Sequence, residues 1–189
     1  MARRRHTEPN RAPGLIDWDD ILAVHGPAVW RGAYRLLGNA DDADDCLQGV
    51  FLAALKTSRR QTVRDWPALL KTLAANWAVD RLRRRVHRGE WMREDPPLAG
   101  LTASTPPPDQ AAQTQELSER LRSALGQLPK RQAQVFCLCC IEGWAHSQVG
   151  EVLGLRTSHV TVLLHRARNR LRELLAPAAI ERDEREVSP

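Results

Sequence analysis

Apolar residues recur at spacings of three and four along most of the chain, and no strand-length run alternates apolar with polar positions. That pattern predicts helices and no sheet. Ile21, Leu22, Val29, Ala33, Leu36 and Leu37 mark the inward face of a first helix over 18–37, stopped by Gly38-Asn39. Leu47, Val50, Phe51, Ala54 and Leu55 mark a second helix over 41–56. A polar stretch, 57–64, leads to a third helix near Asp65-Trp66-Pro67, with Asp65 placed to cap it and Pro67 in its first turn. Leu69, Leu70, Leu73, Ala74, Trp77, Ala78 and Leu82 form its apolar side. Lys71, Asn76, Asp80, Arg83, Arg84 and His87 fall largely elsewhere on it.

The periodicity then lapses. Residues 90–113 hold Pro96, Pro97, Pro106, Pro107, Pro108 and Gly100 among small polar residues, the composition of a linker. Helical stripes resume with Leu117, Leu121, Ala124, Leu125 and Leu128. Pro129 opens the next helix, carrying Val135, Phe136, Leu138, Cys139 and Ile141, and Gly143 ends it. Two more helices are expected at 145–153 and 157–175. The organisation is therefore all-α: a basic N-terminus (1–14) expected to be disordered, a first domain (15–89), a Pro-rich linker (90–113), a second domain (114–176) and a charged tail (177–189). A length of 189 residues with 42% hydrophobic content suits two small helical cores.

The sharpest local motif lies in the second domain. A helix-turn-helix needs a small residue where its helices cross, a Gly four residues later for the turn, and apolar residues at fixed offsets. Gly150 and Gly154 meet the first two needs, and Val149, Leu153, Leu155, Val160 and Leu163 meet the third. The last helix would present Ser158, His159, Thr161, Val162, His165 and Arg166 outward, continuing into a basic strip of Arg168, Arg170 and Arg172 suited to phosphates. Ala145 stands at the N-cap of the helix before it and has no side-chain oxygen to cap with, a loss of about 1 kcal/mol.

The net charge of +5 averages over opposed blocks. Residues 17–55 hold seven Asp against Arg31 and Arg35. Residues 56–88 hold ten Lys and Arg against Asp65 and Asp80. Such a pair of neighbours suggests two different partners, a basic one and an anionic one, although each block also reads as a solvated helix face. Acidic residues at the start of the second helix and Arg81, Arg83, Arg84 and Arg85 at the end of the third also complement the helix dipoles. Asn76 is of a type that hydrogen-bonds base edges or backbone. Trp66 and Trp91 could stack on unpaired bases, whereas Trp77 sits in an apolar stripe and reads as core.

Other classes are disfavoured. The longest apolar runs, such as Val50 to Leu55, fall far short of the roughly 20 residues of a membrane span. The basic N-terminus lacks the apolar stretch of a signal peptide. Cys46, Cys137, Cys139 and Cys140 are too few and too clustered for a disulfide framework, which points to a cytoplasmic protein. Cys137, Cys139, Cys140 and His146 raise a thiol or zinc sensor, but one helix cannot easily aim three thiolates at a tetrahedral ion. No metal or other cofactor is expected. No Gly-rich phosphate loop or nucleophile motif is visible, so no enzyme is expected.

Taken together, the blocks resemble the extracytoplasmic-function (ECF) sigma factors of the sigma-70 family. Residues 38–55, GNADDADDCLQGVFLAAL, are similar to the family's region 2.2, which docks on the β′ clamp helices of RNA polymerase. Residues 66–85, WPALLKTLAANWAVDRLRRR, resemble regions 2.3 and 2.4, which open and read the −10 promoter element. Residues 128–168 resemble region 4, which reads the −35 element. The family commonly carries Glu-Thr where this chain has Gly49-Val50, and a helical Gly weakens its helix by up to about 1 kcal/mol.

The resemblance implies roles for particular residues. Asp41, Asp42, Asp45 and Gln48 would bind the polymerase. Arg59, Arg60, Arg64, Asn76, Asp80, Arg81, Arg83, Arg84 and Arg85 would act at the −10 element, with the segment 59–65 holding a base flipped from the melted strand. Arg156, Thr157, Ser158, His159, Thr161, Val162, His165, Arg166 and Arg168 would act at −35. Core RNA polymerase (β′ clamp and β flap), promoter DNA and an anti-sigma factor are the implied partners. The alternative reading is a helix-turn-helix regulator that binds duplex DNA without the polymerase.

Overall fold

The computed structural model describes residues 16–89 and 108–176, and the secondary structure of these residues is helical throughout. The expected basic N-terminus, the charged tail, Trp91 and residues 90–107 of the expected linker lie outside the described residues. Three helices form the first domain: α1 (Trp18–Leu37), α2 (Ala40–Ser58) and α3 (Trp66–Arg88). Each starts on a side-chain cap. Asp17 accepts from the Asp20 N–H at 3.0 Å, Asn39 from the Asp42 N–H at 2.7 Å, and Asp65 from the Ala68 N–H at 2.9 Å. Gly38 ends α1 in the left-handed conformation with φ +80°, as its place in the sequence predicts.

The three helices pack pairwise around Leu36, Leu37, Val50, Leu70, Val79 and Leu82, all buried. Fully burying one such side chain contributes about 2 kcal/mol. Gly49 has a packing reason: a Cβ there would stand 2.8 Å from Nε1 of Trp77, so the indole lies directly against α2. Trp77 is thereby committed to packing. Two residues expected inside are not: Leu22 is 45% exposed and Leu117 59% exposed. Each lies at the rim of its apolar stripe, where the neighbouring helix no longer covers it.

The second domain comprises α4 (Pro108–Gln127), α5 (Lys130–Phe136), α6 (His146–Leu153) and α7 (Thr157–Leu175). α4 begins at Pro108, inside the stretch that reads as linker in the sequence; Pro is well tolerated in a first helical turn. Between α5 and α6 lies one π-helical turn, Cys137–Ile141, in which the Glu142 N–H reaches back to the Cys137 carbonyl. The core here is Leu125, Leu128, Val135, Leu138, Val149, Val160 and Leu171.

The domains also pack on one another, with α4 running against α3. Their backbones meet at Gly126, where a Cβ would be 2.8 Å from the Leu82 carbonyl oxygen. No side chain fits at that position without moving a helix.

Candidate polymerase and nucleic-acid interfaces

α2 shows solvent one continuous face of Asp41, Asp45, Gln48, Leu52 and Lys56, with Asp44 at its edge. Helical spacings of three and four align them, and the carboxylates gather at the helix N-terminus, where the dipole favours them. Asp44 is also tied back to α1, accepting from the Trp30 indole N–H at 2.7 Å. Asp42 does not join this face. It is 3% exposed and points inward, where Arg81 Nε meets Oδ1 at 2.8 Å and Arg85 pairs with Oδ2. The sequence places it beside Asp41 and Asp45, but one step along a helix turns a side chain by about 100°, away from their face. Leu52 was missed by sequence reasoning. Its signal was its spacing from Gln48, off the apolar stripe.

The −10 candidates divide into three sets. Arg59, Arg60 and Arg64 stand exposed around the loop between α2 and α3, and Arg84 is exposed on α3. Arg81 and Arg85 are held by Asp42, and Arg85 also donates to the Leu37 carbonyl at 3.3 Å. Asp80, Arg83 and Asn76 face the second domain or packed surroundings. Lys130 Nζ lies 2.7 Å from Asp80 Oδ2, Arg83 donates to the Leu128 carbonyl, and Asn76 Oδ1 is buried with no hydrogen-bond partner. Trp66 packs edge-on against Trp18, with ring centroids 5.3 Å apart.

The helix-turn-helix has the geometry its glycines imply. A Cβ on Gly150 would stand 2.7 Å from the Leu155 carbonyl oxygen, and Gly154 turns the chain at φ +65°. The Leu155 N–H closes the turn on the Gly150 carbonyl at 2.8 Å. Ala145 contributes no side-chain cap, and its own N–H donates to Gln148 Oε1 at 3.0 Å instead. Val160, Leu163, Leu164 and Ala167 bury one side of α7. Arg156, Thr157, Ser158, His159, Thr161, Val162, His165, Arg166 and Arg168 are all exposed on the other. Thr161 donates to the Thr157 carbonyl at 3.1 Å, and its hydroxyl lies 3.1 Å from His146 Nδ1. At the far end of α7, Leu121, Phe136, Leu171 and Leu175 line a groove of about 420 Å³ edged by Arg168 and Arg172.

The cysteines do not assemble a metal site. Among the described residues, no cluster of His, Cys, Asp or Glu has a geometry that holds an ion. Cys46 and Cys137 are buried, and desolvation pushes each thiol up to about 12. Burial also raises Cys139, while Cys140 is exposed with Arg168 Nη2 at 3.5 Å from its sulfur.

Comparison with known proteins adds identity to this geometry. The family profile for Sigma-70 region 2 matches residues 21–88, and that for Sigma-70, region 4 matches residues 118–171. ECF RNA polymerase sigma factor SigE of Mycolicibacterium smegmatis is 32% identical over 168 residues, covering 88% of this chain and 65% of SigE. RNA polymerase sigma factor CarQ of Myxococcus xanthus is 32% identical over 87% of this chain and 92% of its own length. The chain belongs to the ECF sigma factors of the sigma-70 family. Members of the family are non-catalytic transcription initiation factors; here α1–α3 form region 2 and α4–α7 region 4. Among solved structures, CnrH in complex with the cytosolic domain of CnrY matches with a TM-score of 0.53 at 26% identity, over 84% of this sigma factor and 86% of that chain. The sigma factor RpoE in complex with the anti-sigma factor NepR, from Bartonella quintana, shares the fold, with a TM-score of 0.52 at 21% identity over 85% of this chain and 98% of that one. No described helix is long and apolar enough to cross a membrane.

Proposed function

We propose that this sigma factor binds core RNA polymerase through the exposed face of α2 and directs it to promoters read jointly by α3 and α7. Asp41, Asp45 and Gln48, with Leu52 as an apolar anchor, dock on a basic surface of the β′ clamp. Arg59, Arg60 and Arg64 grip the melted strand beside the loop that holds the flipped base, and Arg84 binds a nearby phosphate. Residues Arg156 to Arg168 of α7 and its preceding turn enter the −35 major groove. The apolar groove at the end of α7 receives the β flap. The polymerase makes and breaks the bonds. The site of action is the cytoplasm, and a protein of the anti-sigma class is the expected regulator.

One observation carries this reading: an acidic, exposed α2 face and an exposed basic recognition helix occur in one chain in the order region 2, region 4. A free-standing helix-turn-helix regulator has no need of the first. Run-off transcription with purified core polymerase and a promoter library tests it directly; a chain that binds duplex DNA but never supports initiation would overturn it. Asp45→Arg reverses charge at the docking face, and at least a tenfold loss of affinity for core polymerase is expected, with helicity unchanged. Normal co-purification would remove α2 from the interface.

A further inference from the structure

We propose that α7 reads the −35 element in part through thymine methyl groups, with the Thr161 methyl and the Val162 side chain as the specificity-determining contacts. The inference rests on the function proposed above and deepens it, by naming the base feature that this face of α7 selects.

The outward side of α7 carries Ser158, Thr161, Val162, His165, Arg166 and Asn169, set opposite the buried Val160, Leu163, Leu164 and Ala167. In a helix-turn-helix the first turns of the recognition helix meet base edges, and Thr161 and Val162 lie in the second turn of α7. Val162 is 45% exposed, a branched apolar side chain in the midst of polar and charged neighbours. It has nothing to donate to a base and nothing to accept with. What it can do is exclude water from another apolar group. In the major groove the apolar group on a base edge is the C5 methyl of thymine.

Thr161 reaches the same end by a different route. Its hydroxyl has a single proton. Oγ1 lies 3.1 Å from the Thr157 carbonyl and 3.1 Å from His146 Nδ1. The proton goes to one or the other, and in neither case is it left for a base. When it goes to the carbonyl, His146 donates to the same oxygen from Nδ1. The oxygen is thus drawn toward the helix backbone and α6, which leaves Cγ2 as the branch of this exposed residue open to the groove. The next polar residues on the face are engaged as well. A guanidinium only donates, so the 2.5 Å contact from Arg172 Nη1 sets the Asn169 oxygen toward Arg172. That turns Asn169 Nδ2 to His165 Nε2 at 3.0 Å, where the ring nitrogen accepts, and Nδ1 is the ring nitrogen left over. The middle of the face therefore offers methyl groups and few free hydrogen-bonding atoms, while Arg156 and Arg166 supply the attraction to phosphates.

The test uses the full chain and a duplex that it selects from a library randomised across the −35 window. Each thymine of the selected duplex is replaced in turn by uracil, which lacks only the methyl group. Losing the burial of one methyl should weaken binding about fourfold at a contacted position and leave the other thymines indifferent. Thr161→Ser keeps the hydroxyl and removes the methyl, and should erase the preference for thymine over uracil at the position it faces. Thr161→Val keeps a methyl and removes the hydroxyl, and the preference should persist. Val162→Ser should erase the preference at its own position. Circular dichroism checks that each variant keeps its helices. A selected duplex without thymine, or uracil without effect at every position, would overturn the proposal. So would a preference lost equally in Thr161→Ser and Thr161→Val, which would make the hydroxyl the reading group. Wild-type run-off transcription from the same sequence separates the two readings. Transcription without methyl sensitivity defeats this inference alone, and methyl-sensitive binding without transcription defeats the sigma-factor reading alone.

Discussion

Arg156 just before α7 and His159 and Arg166 on it stand in solvent, while Val160, Leu163, Leu164 and Ala167 hold the helix from behind. On α3, Arg81 and Arg85 already grip Asp42, and Arg83 already has a carbonyl. Both helices are basic, and each lies within a matched region of the family. The contrast separates two uses of arginine. Around the start of α7, at Arg156 and Arg166, the charge is left to solvent. In region 2 much of the charge on α3 is spent on holding α3 to α2 and to the other domain, while Arg84 and Arg88 on that helix and Arg59, Arg60 and Arg64 before it are exposed.

The harshest way to break the contrast is at the helix-turn-helix crossing. Gly150→Val forces a side chain into the Leu155 carbonyl and should cost region 4 about 3 kcal/mol, seen as an early transition in chemical denaturation while region 2 persists. Asp42→Ala leaves Arg81 and Arg85 without their buried acceptor. A loss of about 2–3 kcal/mol is expected, moderated because both guanidiniums reach partial solvent; a loss near zero would return Asp42 to the docking face. Arg166→Ala should weaken −35 duplex binding about tenfold and lower the salt slope by about 1, whereas Arg83→Ala should change the salt slope less, because its guanidinium is held on the Leu128 carbonyl.

The smallest effect concerns the thiols. With Cys46 and Cys137 at about 12, both are neutral near pH 8, and Cys140 alone should react rapidly with an alkylating reagent in the native protein. Their folded values lie above the ordinary 9.0, so the neutral-thiol contribution to stability is intact below pH 9 and is lost as pH rises from 9 toward 12. Titrating the denaturation midpoint over that window checks the sign. Rapid labelling of Cys46 or Cys137 would show that the cores open far more readily than their packing implies.

Much of the α7 face was legible because a recognition helix is built from short-range rules. Glycines four apart make the turn, apolar offsets set the inward side, and the remaining positions must face out. The α2 face was legible except at Asp42 and Leu52. Three neighbouring aspartates look alike in a string, and only the angle between helices decides which one turns inward. Lys130 and Gly126 carried no functional signal. Each matters because of a partner dozens of residues away, and nothing in its own neighbourhood names that partner.

The helical character, the number of α-helices, the Asp65 cap, the two-region order and the exposed side of α7 follow from the sequence alone, because spacing, capping and turn chemistry act over a few residues. Which charges are free and which are consumed was decided only in three dimensions. A guanidinium bonds whatever acceptor the fold brings within about 3 Å, and that choice is made by the packing of α3 against α2, α4 and α5.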